Sequence, residues 1–482
     1  METTTAPKTP TETVSRPAYA QGLETLEAEV RLDSLPVEGE IPAWLTGTLM
    51  RNGPAKFEVG EQRLNHWFDG LAMLHKFSFG EGAVSYANRF LRGKSYLEAE
   101  REGKIAYSEF ATDPCRSIFR RAATLFRPKF TDNCNVNLTR LGDEYVAMTE
   151  LPLPVAFDPE TLETLGVAFE APGIHATAHP HHDPARRELV AYVTHFGPRG
   201  EYRVFAQRDR ATQRRIASLR VAQPSYMHSF ALTERYAVLV AFPLVVNPFD
   251  LALSGRPFIE NYKWKPELGT RVLVFDREDG SLRGEYEAEP RFSFHHVNAF
   301  ERDGELVLDM SAYDDATIVD SLYLERLRTA PPPPASPPRL LRYRVDLEDG
   351  GVAEEELSDV PLELPRIDYR ERNGKPYRYT YGVGAPGPEE PDAFLDRLVK
   401  IDVEDGEARE WREPGAFPGE PVFVPAPQRA GREDDGVLLS VVLDASAGSS
   451  YLLVLDAGDL AELGRARVPH HIPFGFHGQY FS

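Results

Sequence analysis

The chain has 482 residues, of which 54 are Lys or Arg and 75 are Asp or Glu, so its formal net charge is −21. This acidic balance argues against nucleic acid as an electrostatic partner. The two cysteines, Cys115 and Cys134, are too few for a disulfide framework or a thiol-ligated metal site. A chain of this length can form two or three domains, or one large propeller.

The N-terminal segment, residues 1–21, is rich in Thr, Pro and Ala and lacks the apolar core of a signal peptide. It is predicted to be a disordered leader. The longest apolar run, residues 236–246, is interrupted by Pro243 and is far shorter than the roughly 20 residues of a spanning helix. These features predict a cytoplasmic protein that can lie on a membrane without crossing it.

Short runs of β-branched and aromatic residues, closed by acidic turns, dominate the chain from residue 32 onward and predict an all-β fold. In one recurring phrase a strand runs into an acidic turn, and the aspartates that mark it are Asp158, Asp276, Asp346, Asp402 and Asp456. Their spacing is compatible with a unit of about 50 to 60 residues plus insertions, which is the size of a propeller blade. The pattern favours a β-propeller over the independent hairpins of a sandwich.

One segment, at about residues 111–128, interrupts this β pattern. Written as a helix, it places Arg116, Arg120 and Arg121 around one side and apolar residues on the other. The apolar face consists of Cys115, Ile118, Phe119, Ala122, Leu125 and Phe126. Two interpretations stay open, because arginine beside an apolar face suits both a helix packed on the propeller and a contact that dips into a membrane.

Four strand-like phrases carry histidines, although none of the 13 histidines belongs to a local zinc motif. The phrases are residues 177–184, 226–233, 294–301 and 476–478. The innermost strands of a propeller line its axis, so residues far apart in sequence can meet there. Each histidine alone is more typical of a core or turn position. Their joint placement beside aromatic residues is what indicates a metal site.

A histidine-ligated metal also needs acceptors for the ring N–H groups that do not bind it. Glu150, Glu363 and Glu420 are candidates, because each is flanked by proline and apolar residues. Each glutamate alone is more typical of a surface turn. The carboxylate assignment therefore depends on the histidines.

Together with Arg51-Asn-Gly-Pro54, Trp67-Phe-Asp-Gly70 and Glu433-Asp-Asp-Gly436, the histidine phrases resemble the carotenoid cleavage oxygenases from about residue 32 to residue 482. The resemblance implies a seven-bladed β-propeller over residues 22–482, capped by helices and loops, with one histidine from each of four blades binding non-haem Fe(II). The implied ligands are His179, His228, His295 and His477. The implied carboxylate partners are Glu150, Glu363 and Glu420, which leaves His179 without one. His470 and His471 match no ligand motif and are interpreted as strand-end residues.

Residues 131–135, 364–369 and 374–379 resemble the animal-type branch, which includes the β-carotene oxygenases and the visual-cycle retinoid isomerase. Stilbene-cleaving relatives place a lysine just before the first glutamate to hold a phenol. This chain has Thr149 there, which argues against a phenolic substrate.

The resemblance implies that the protein cleaves a carotenoid or apocarotenoid with O₂, with central cleavage of β-carotene to retinal as the leading expectation. Trp67, Phe68, Phe294 and Phe476 are candidate walls of a substrate tunnel, although each suits the propeller core equally well. The segment around Phe119 would extract the substrate from a lipid bilayer. The alternatives are eccentric cleavage, a retinoid isomerohydrolase that needs no O₂, and a non-enzymatic carotenoid-binding propeller. No obligate protein partner is expected.

Overall fold

The structure is a computed structural model that describes residues 16–113, 130–197, 199–329, 336–384, 394–429 and 431–482. Within these ranges, seven large antiparallel sheets form the blades of a β-propeller, which confirms the predicted fold. We number the blades in chain order. Neighbouring blades pack face to face through buried side chains, as where Val190 and Tyr192 of blade 3 share one cluster with Leu239 of blade 4.

In the first four blades, the strands follow one another from the propeller axis outward. Blade 1 contains Gly478–Phe481, Gly47–Lys56, Leu71–Gly80, Ala83–Phe90 and Arg31–Leu32, and blade 2 contains Asn137–Leu141, Glu144–Met148, Val155–Phe157 and Thr164–Val167. Blade 3 begins with His175–Ala176 and His181–Asp183 and continues with Glu188–Phe196, Gly200–Gln207 and Gln213–Val221. Blade 4 contains Ala231–Leu232, Tyr236–Ala241, Thr270–Asp276 and Leu282–Ala288.

The remaining three blades follow the same plan. Blade 5 contains Phe292–Arg302, Glu305–Tyr313, Arg339–Asp346 and Val352–Ser358, and blade 6 contains Glu363–Arg366, Tyr379–Gly384, Arg397–Asp402 and Ala408–Arg412. Blade 7 begins with Ala416–Pro418 and Val422–Pro425 and continues with Gly436–Asp444, Ser449–Asp456, Glu462–Val468 and Val37–Gly39. Two small hairpins pair Glu58–Val59 with Gln62–Arg63 and Leu244–Val245 with Lys263–Trp264.

The helices of the described residues are short and lie between strands. The α-helices are Lys94–Glu102, Pro248–Leu253, Thr317–Ser321, Leu324–Thr329 and Tyr369–Arg372. The 3₁₀ helices are Ala18–Leu23, Trp67–Asp69, Ile259–Asn261 and Pro266–Leu268. None of the helices in these ranges is long and apolar enough to cross a membrane.

The recurring aspartates mark the turn between the third and fourth strands of a blade. Asp346, for example, ends the third strand of blade 5, and its carboxylate accepts hydrogen bonds from the backbone N–H groups of Glu348 and Asp349. This arrangement is an Asx turn, which explains why the phrase recurs in five of the seven blades. Blade 3 uses Asp209 in the same way, but the phrase is absent because the turn begins beyond the strand end at Gln207.

The N-terminus differs from the sequence prediction, which placed residues 1–21 in a disordered leader. Ala18–Leu23 form a 3₁₀ helix in which Tyr19 and Leu23 are buried. The Tyr19 ring stacks on Phe394 with ring centres 4.8 Å apart. The predicted leader extended too far because the Thr, Pro and Ala composition of the segment gave no indication that Tyr19 is buried.

Both chain ends close the ring of blades. The C-terminal strand Gly478–Phe481 pairs with Gly47–Lys56 as the inner strand of blade 1, and Val37–Gly39 is the outer strand of blade 7. The backbone just before the C-terminal strand passes so close to Gly53 that a Cβ there would lie 2.4 Å from the Cα of Gly475. The tail is therefore seated against blade 1, with no room for a side chain at Gly53.

Candidate metal centre

Each of the seven blades supplies one histidine or one glutamate to the axis of the propeller. In blade order, these residues are His477, Glu150, His179, His228, His295, Glu363 and Glu420. His295 lies within the inner strand Phe292–Arg302 and Glu363 begins the inner strand of blade 6, whereas the others lie in short stretches beside strands. The topology thus brings together residues that are up to 327 positions apart, counted from 150 to 477.

The four predicted histidines converge on one point. Their candidate ligand atoms all lie within 4.8 Å of one another. The Nε2 atoms of His179 and His228 are 2.9 Å apart, and those of His295 and His477 are 3.2 Å apart. Three of the four side chains are buried and His179 is partly buried, so the donor atoms are held away from bulk water.

Each of the three predicted glutamates accepts a hydrogen bond from one of these rings. The Nδ1 atoms of His228, His295 and His477 lie 2.7 Å from carboxylate oxygens of Glu150, Glu363 and Glu420, respectively. Within the described chain, no carboxylate lies within ion-pair distance of His179. The segment that carries His179 is held instead by Thr177, whose hydroxyl donates to the His228 carbonyl 2.9 Å away.

The electrostatics keep these carboxylates charged. Burial raises the pKa of Glu150 and of Glu420, but this effect is outweighed. Interactions with His228 and His175 lower the pKa of Glu150 to about 2. Interactions with Arg366, His477 and Arg51 lower the pKa of Glu420 to about 2. In Glu363 the neighbouring His295 likewise outweighs burial and lowers the pKa.

The same burial keeps imidazoles neutral. It lowers the pKa of His477 to about 4, although Glu420 acts in the opposite direction. Burial and the neighbouring histidines lower the pKa of His179 well below its usual value, and burial also lowers that of His228. Neutral rings whose Nδ1–H groups donate to carboxylates present Nε2 lone pairs to the axis.

Each glutamate also accepts a hydrogen bond from a second side chain. These second partners were not predicted from the sequence. The hydroxyl of Tyr226 lies 3.0 Å from both oxygens of Glu150, and the hydroxyl of Tyr313 donates to Glu363 at 2.8 Å. Arg51 forms a buried ion pair with Glu420 at 2.6 Å. Arg51 belongs to the Arg51-Asn-Gly-Pro54 motif and Tyr226 to the histidine phrase at residues 226–233, but neither motif indicated which glutamate its residue would contact.

The donor set fits a metal cation. Because Glu363 and Glu420 take the Nδ1–H groups of His295 and His477, both facing Nε2 atoms carry lone pairs only 3.2 Å apart. Two such lone pairs repel each other unless a proton or a cation lies between them. A cation bound by all four rings removes this repulsion, and imidazole is a common ligand of iron, zinc and copper.

The four predicted tunnel aromatics lie together beside the histidines. Phe294 is 5.7 Å from the His228 ring and 5.7 Å from Phe68, measured between ring centres. Phe68 and Trp67 contact Phe476 at 5.1 and 4.8 Å. All four belong to or pack against one hydrophobic cluster. Their role as tunnel walls stays a prediction.

Two other sets of predicted residues lie away from this centre. Cys115, Ile118, Phe119, Ala122, Leu125 and Phe126 fall outside the described residues. His470 and His471 follow the strand Glu462–Val468, and His470 donates from Nδ1 to the carbonyl of His471. Neither of these two belongs to the four-histidine group.

The comparison with protein families decides the relationship. Residues 23–482 match the sequence profile of the family described as RPE65, retinal pigment epithelial membrane protein. The chain belongs to the RPE65/carotenoid oxygenase family. This assignment confirms the resemblance noted in the sequence.

Relatives within the carotenoid oxygenase family match over nearly the whole chain. The chain is 36% identical to a mitochondrial carotenoid-cleaving dioxygenase of Macaca fascicularis, with 96% of this chain and 94% of the relative covered. It is 33% identical to the β,β-carotene 15,15'-dioxygenase of Mus musculus, with 92% and 88% covered. A cobalt-substituted apocarotenoid oxygenase of Synechocystis superposes with a TM-score of 0.86 at 28% identity, covering 96% of this chain and 98% of the other.

Replacing His477 by Ala should weaken metal-ion binding, assayed with Fe(II), by at least about tenfold, because one donor is lost and Glu420 loses its ring partner. Iron content after purification and titration of the iron-free protein would measure the loss. His471→Ala is the matched control, since it removes a neighbouring imidazole outside the four-histidine group. Equal iron affinity in the two variants would contradict the assignment of His477.

Proposed function

We propose that this protein is a non-haem iron dioxygenase that cleaves a conjugated double bond of a carotenoid or apocarotenoid with O₂. The observation that carries the proposal is the convergence of four imidazoles beside a cluster of aromatic side chains. Relatives that are at least 32% identical over most of the chain are named carotenoid-cleaving dioxygenases and β,β-carotene 15,15'-dioxygenases.

His179, His228, His295 and His477 would hold Fe(II) through their Nε2 atoms. The bound ion would supply the O₂ activation that an alkene and side chains alone cannot provide. Imidazole ligands carry no negative charge, so the negative charge that would compensate the ion comes from the three glutamates behind the rings. Tyr226, Tyr313 and Arg51 hold those carboxylates, and so they keep the three ring planes aimed at the axis.

The reaction places few demands on acid or base groups. One O₂ and one carbon–carbon double bond yield two carbonyl groups, so both oxygen atoms enter the products and no net proton transfer is needed. The side chains therefore have to bind and orient a long apolar polyene. The faces of Phe68, Phe294 and Phe476 suit this task and can stabilise positive charge on the polyene.

Incubating the iron-loaded protein with β-carotene and with apocarotenoids of several chain lengths tests the function. We expect aldehyde products, with one O₂ consumed per substrate cleaved and no product under anaerobic conditions. The chain lengths of the aldehydes identify the bond, for which the central one of β-carotene is the leading expectation. A retinoid product formed from a retinyl ester without O₂ uptake would instead establish isomerohydrolase activity.

Peripheral contact with a membrane is the second part of the proposal, because the substrate is a lipid. The helix Pro248–Leu253 exposes 59% of Phe249 and 70% of Leu253. The Ser254 hydroxyl after this helix bonds the Asn261 side chain, and Ile259 donates to the Phe110 carbonyl 3.1 Å away. These two hydrogen bonds link the helix that carries the exposed apolar residues to Phe110, whose ring contacts Phe68.

The double substitution of Phe249→Glu and Leu253→Glu should reduce partitioning onto phosphatidylcholine liposomes at least about tenfold, since two apolar side chains lose their burial in lipid. Co-sedimentation with liposomes measures it. The control is Leu165→Glu, which changes a side chain 63% exposed on the outer strand of blade 2. Unchanged partitioning of the double variant would contradict a membrane contact at this helix.

A further inference from the structure

His179 is held differently from the other three histidines of the candidate metal centre. Each of those donates to a glutamate, whereas within the described residues His179 has no carboxylate partner. It lies in residues 177–180, between the short strands His175–Ala176 and His181–Asp183, which both pair with Glu188–Phe196. The direction of its ring therefore depends on how the two ends of this stretch are held.

Thr177 holds the N-terminal end of the stretch. Its hydroxyl accepts from the backbone N–H of His179 at 3.0 Å and donates to the His228 carbonyl at 2.9 Å. Its own backbone N–H donates to the Tyr192 carbonyl at 3.1 Å. This end is thus tied to blades 3 and 4.

The C-terminal end of the stretch is stiff, because Pro180 follows His179. The proline ring fixes its own φ and restricts the preceding residue to extended backbone. A displacement of His181 is therefore passed on to His179, since few torsions between the two residues can absorb it. The placement of His181 consequently sets the direction of the His179 ring from this end.

Residues from two other blades hold His181. Its Nε2 atom lies 2.9 Å from the carbonyl of Phe230, just before the first strand of blade 4. Its Nδ1 atom lies 3.0 Å from the Tyr369 hydroxyl, whose oxygen also accepts from the backbone N–H of His182 at 3.2 Å. Because a carbonyl can only accept, Nε2 carries the ring proton and the Tyr369 hydroxyl donates to Nδ1.

Asn373 cannot replace that donor. Its Oδ1 atom lies 3.2 Å from Nδ1 of His181, and its Nδ2 atom donates to the His182 carbonyl at 3.4 Å. An amide oxygen has no proton to give, and turning the amide over would place this oxygen against the His182 carbonyl. Among the described residues, the Tyr369 hydroxyl is therefore the donor on which Nδ1 of His181 depends.

Tyr369 is itself fixed by residues of blades 5 and 7. It begins the helix Tyr369–Arg372, and Asp368 before it forms an ion pair with Arg429 at 2.6 Å. Asn298, which lies on the same strand as His295, donates to the Arg372 carbonyl at 2.8 Å. The hydroxyl is thus presented from an anchored helix.

The Glu433-Asp-Asp-Gly436 motif contributes to this anchoring. The Glu433 carboxylate accepts from the backbone N–H groups of Arg378 and Tyr379 at 2.9 and 3.0 Å. These bonds fix the segment that returns from the helix to the second strand of blade 6. The motif therefore supports the element that carries Tyr369.

We propose that Tyr369 is a positioning residue for His179. Its hydroxyl fixes His181, and the stiff connection through Pro180 passes this placement to the His179 ring. The contact joins blade 6 to blade 3, which are not neighbours in the ring of blades, and it takes the part that glutamates have for the other three histidines. The inference rests on the proposed metal site and not on the reaction, so metal binding tests it.

Tyr369→Phe tests the inference, because it removes only the hydroxyl of a side chain that is 39% exposed. We expect the affinity of the iron-free protein for Co(II) to fall at least about fivefold, since groups behind metal ligands tune metal affinity. The visible absorption of bound Co(II), which reports the ligand geometry, should change as well. Tyr377→Phe is the matched control, because it removes a nearby hydroxyl that bonds Asp309 at 2.6 Å, and it should leave affinity and spectrum unchanged.

A double variant shows whether Tyr369 acts through His181. His181→Phe keeps a flat ring against Phe230, whose ring centre lies 4.8 Å from that of His181. In this background, adding Tyr369→Phe should change the Co(II) affinity less than about twofold, because the two changes remove the same interaction.

Three results would overturn the inference. They are an unchanged affinity and spectrum in Tyr369→Phe, an equal change in Tyr377→Phe, and a full effect of Tyr369→Phe in the His181→Phe background. Absence of Co(II) binding by the unaltered protein would contradict the metal centre and this inference together. If Co(II) binds as expected and the iron-loaded protein cleaves no carotenoid, only the proposed reaction fails.

Discussion

The seating of the C-terminal tail on blade 1 is the interaction on which the rest of the structure depends. It completes the ring of blades and brings His477 to the axis in the same step. Arg51 secures this junction, because its guanidinium bonds both the Glu420 carboxylate and the Phe476 carbonyl. The tail also exchanges backbone hydrogen bonds with Asn52, and Trp67 donates to the Phe474 carbonyl. The motifs around Arg51 and Trp67 therefore form the surface on which the tail packs, which explains why a chain end so rich in aromatic residues is buried.

The centre itself is a balance between desolvation and hydrogen bonding. Burial favours neutral imidazoles and would also favour neutral carboxylic acids, yet Glu150 and Glu420 keep a low pKa because histidine and arginine partners outweigh the burial. Each of these carboxylates fixes one ring by accepting from its Nδ1–H. His179 has no such partner in the part of the chain that the structure describes, so the orientation of this ring depends on its backbone and on Thr177.

Local sequence patterns predicted an all-β propeller, whereas the four ligands and their three glutamates were implied by the resemblance to the carotenoid cleavage oxygenases. The aspartate turns recur in five of the seven blades, and four histidine phrases stand beside aromatic residues. The positions of Tyr226, Tyr313 and Arg51 behind the glutamates could not be predicted, since these contacts join blades that are distant in sequence. The same holds for Tyr19, whose partner Phe394 is far along the chain.

Anomalous diffraction from crystals of the purified protein, recorded on both sides of the iron absorption edge, would locate iron within the propeller. We expect one iron peak on the propeller axis, bonded to the Nε2 atoms of His179, His228, His295 and His477. A peak at the zinc edge instead, iron bound elsewhere in the chain, or iron bound without His477 would contradict it.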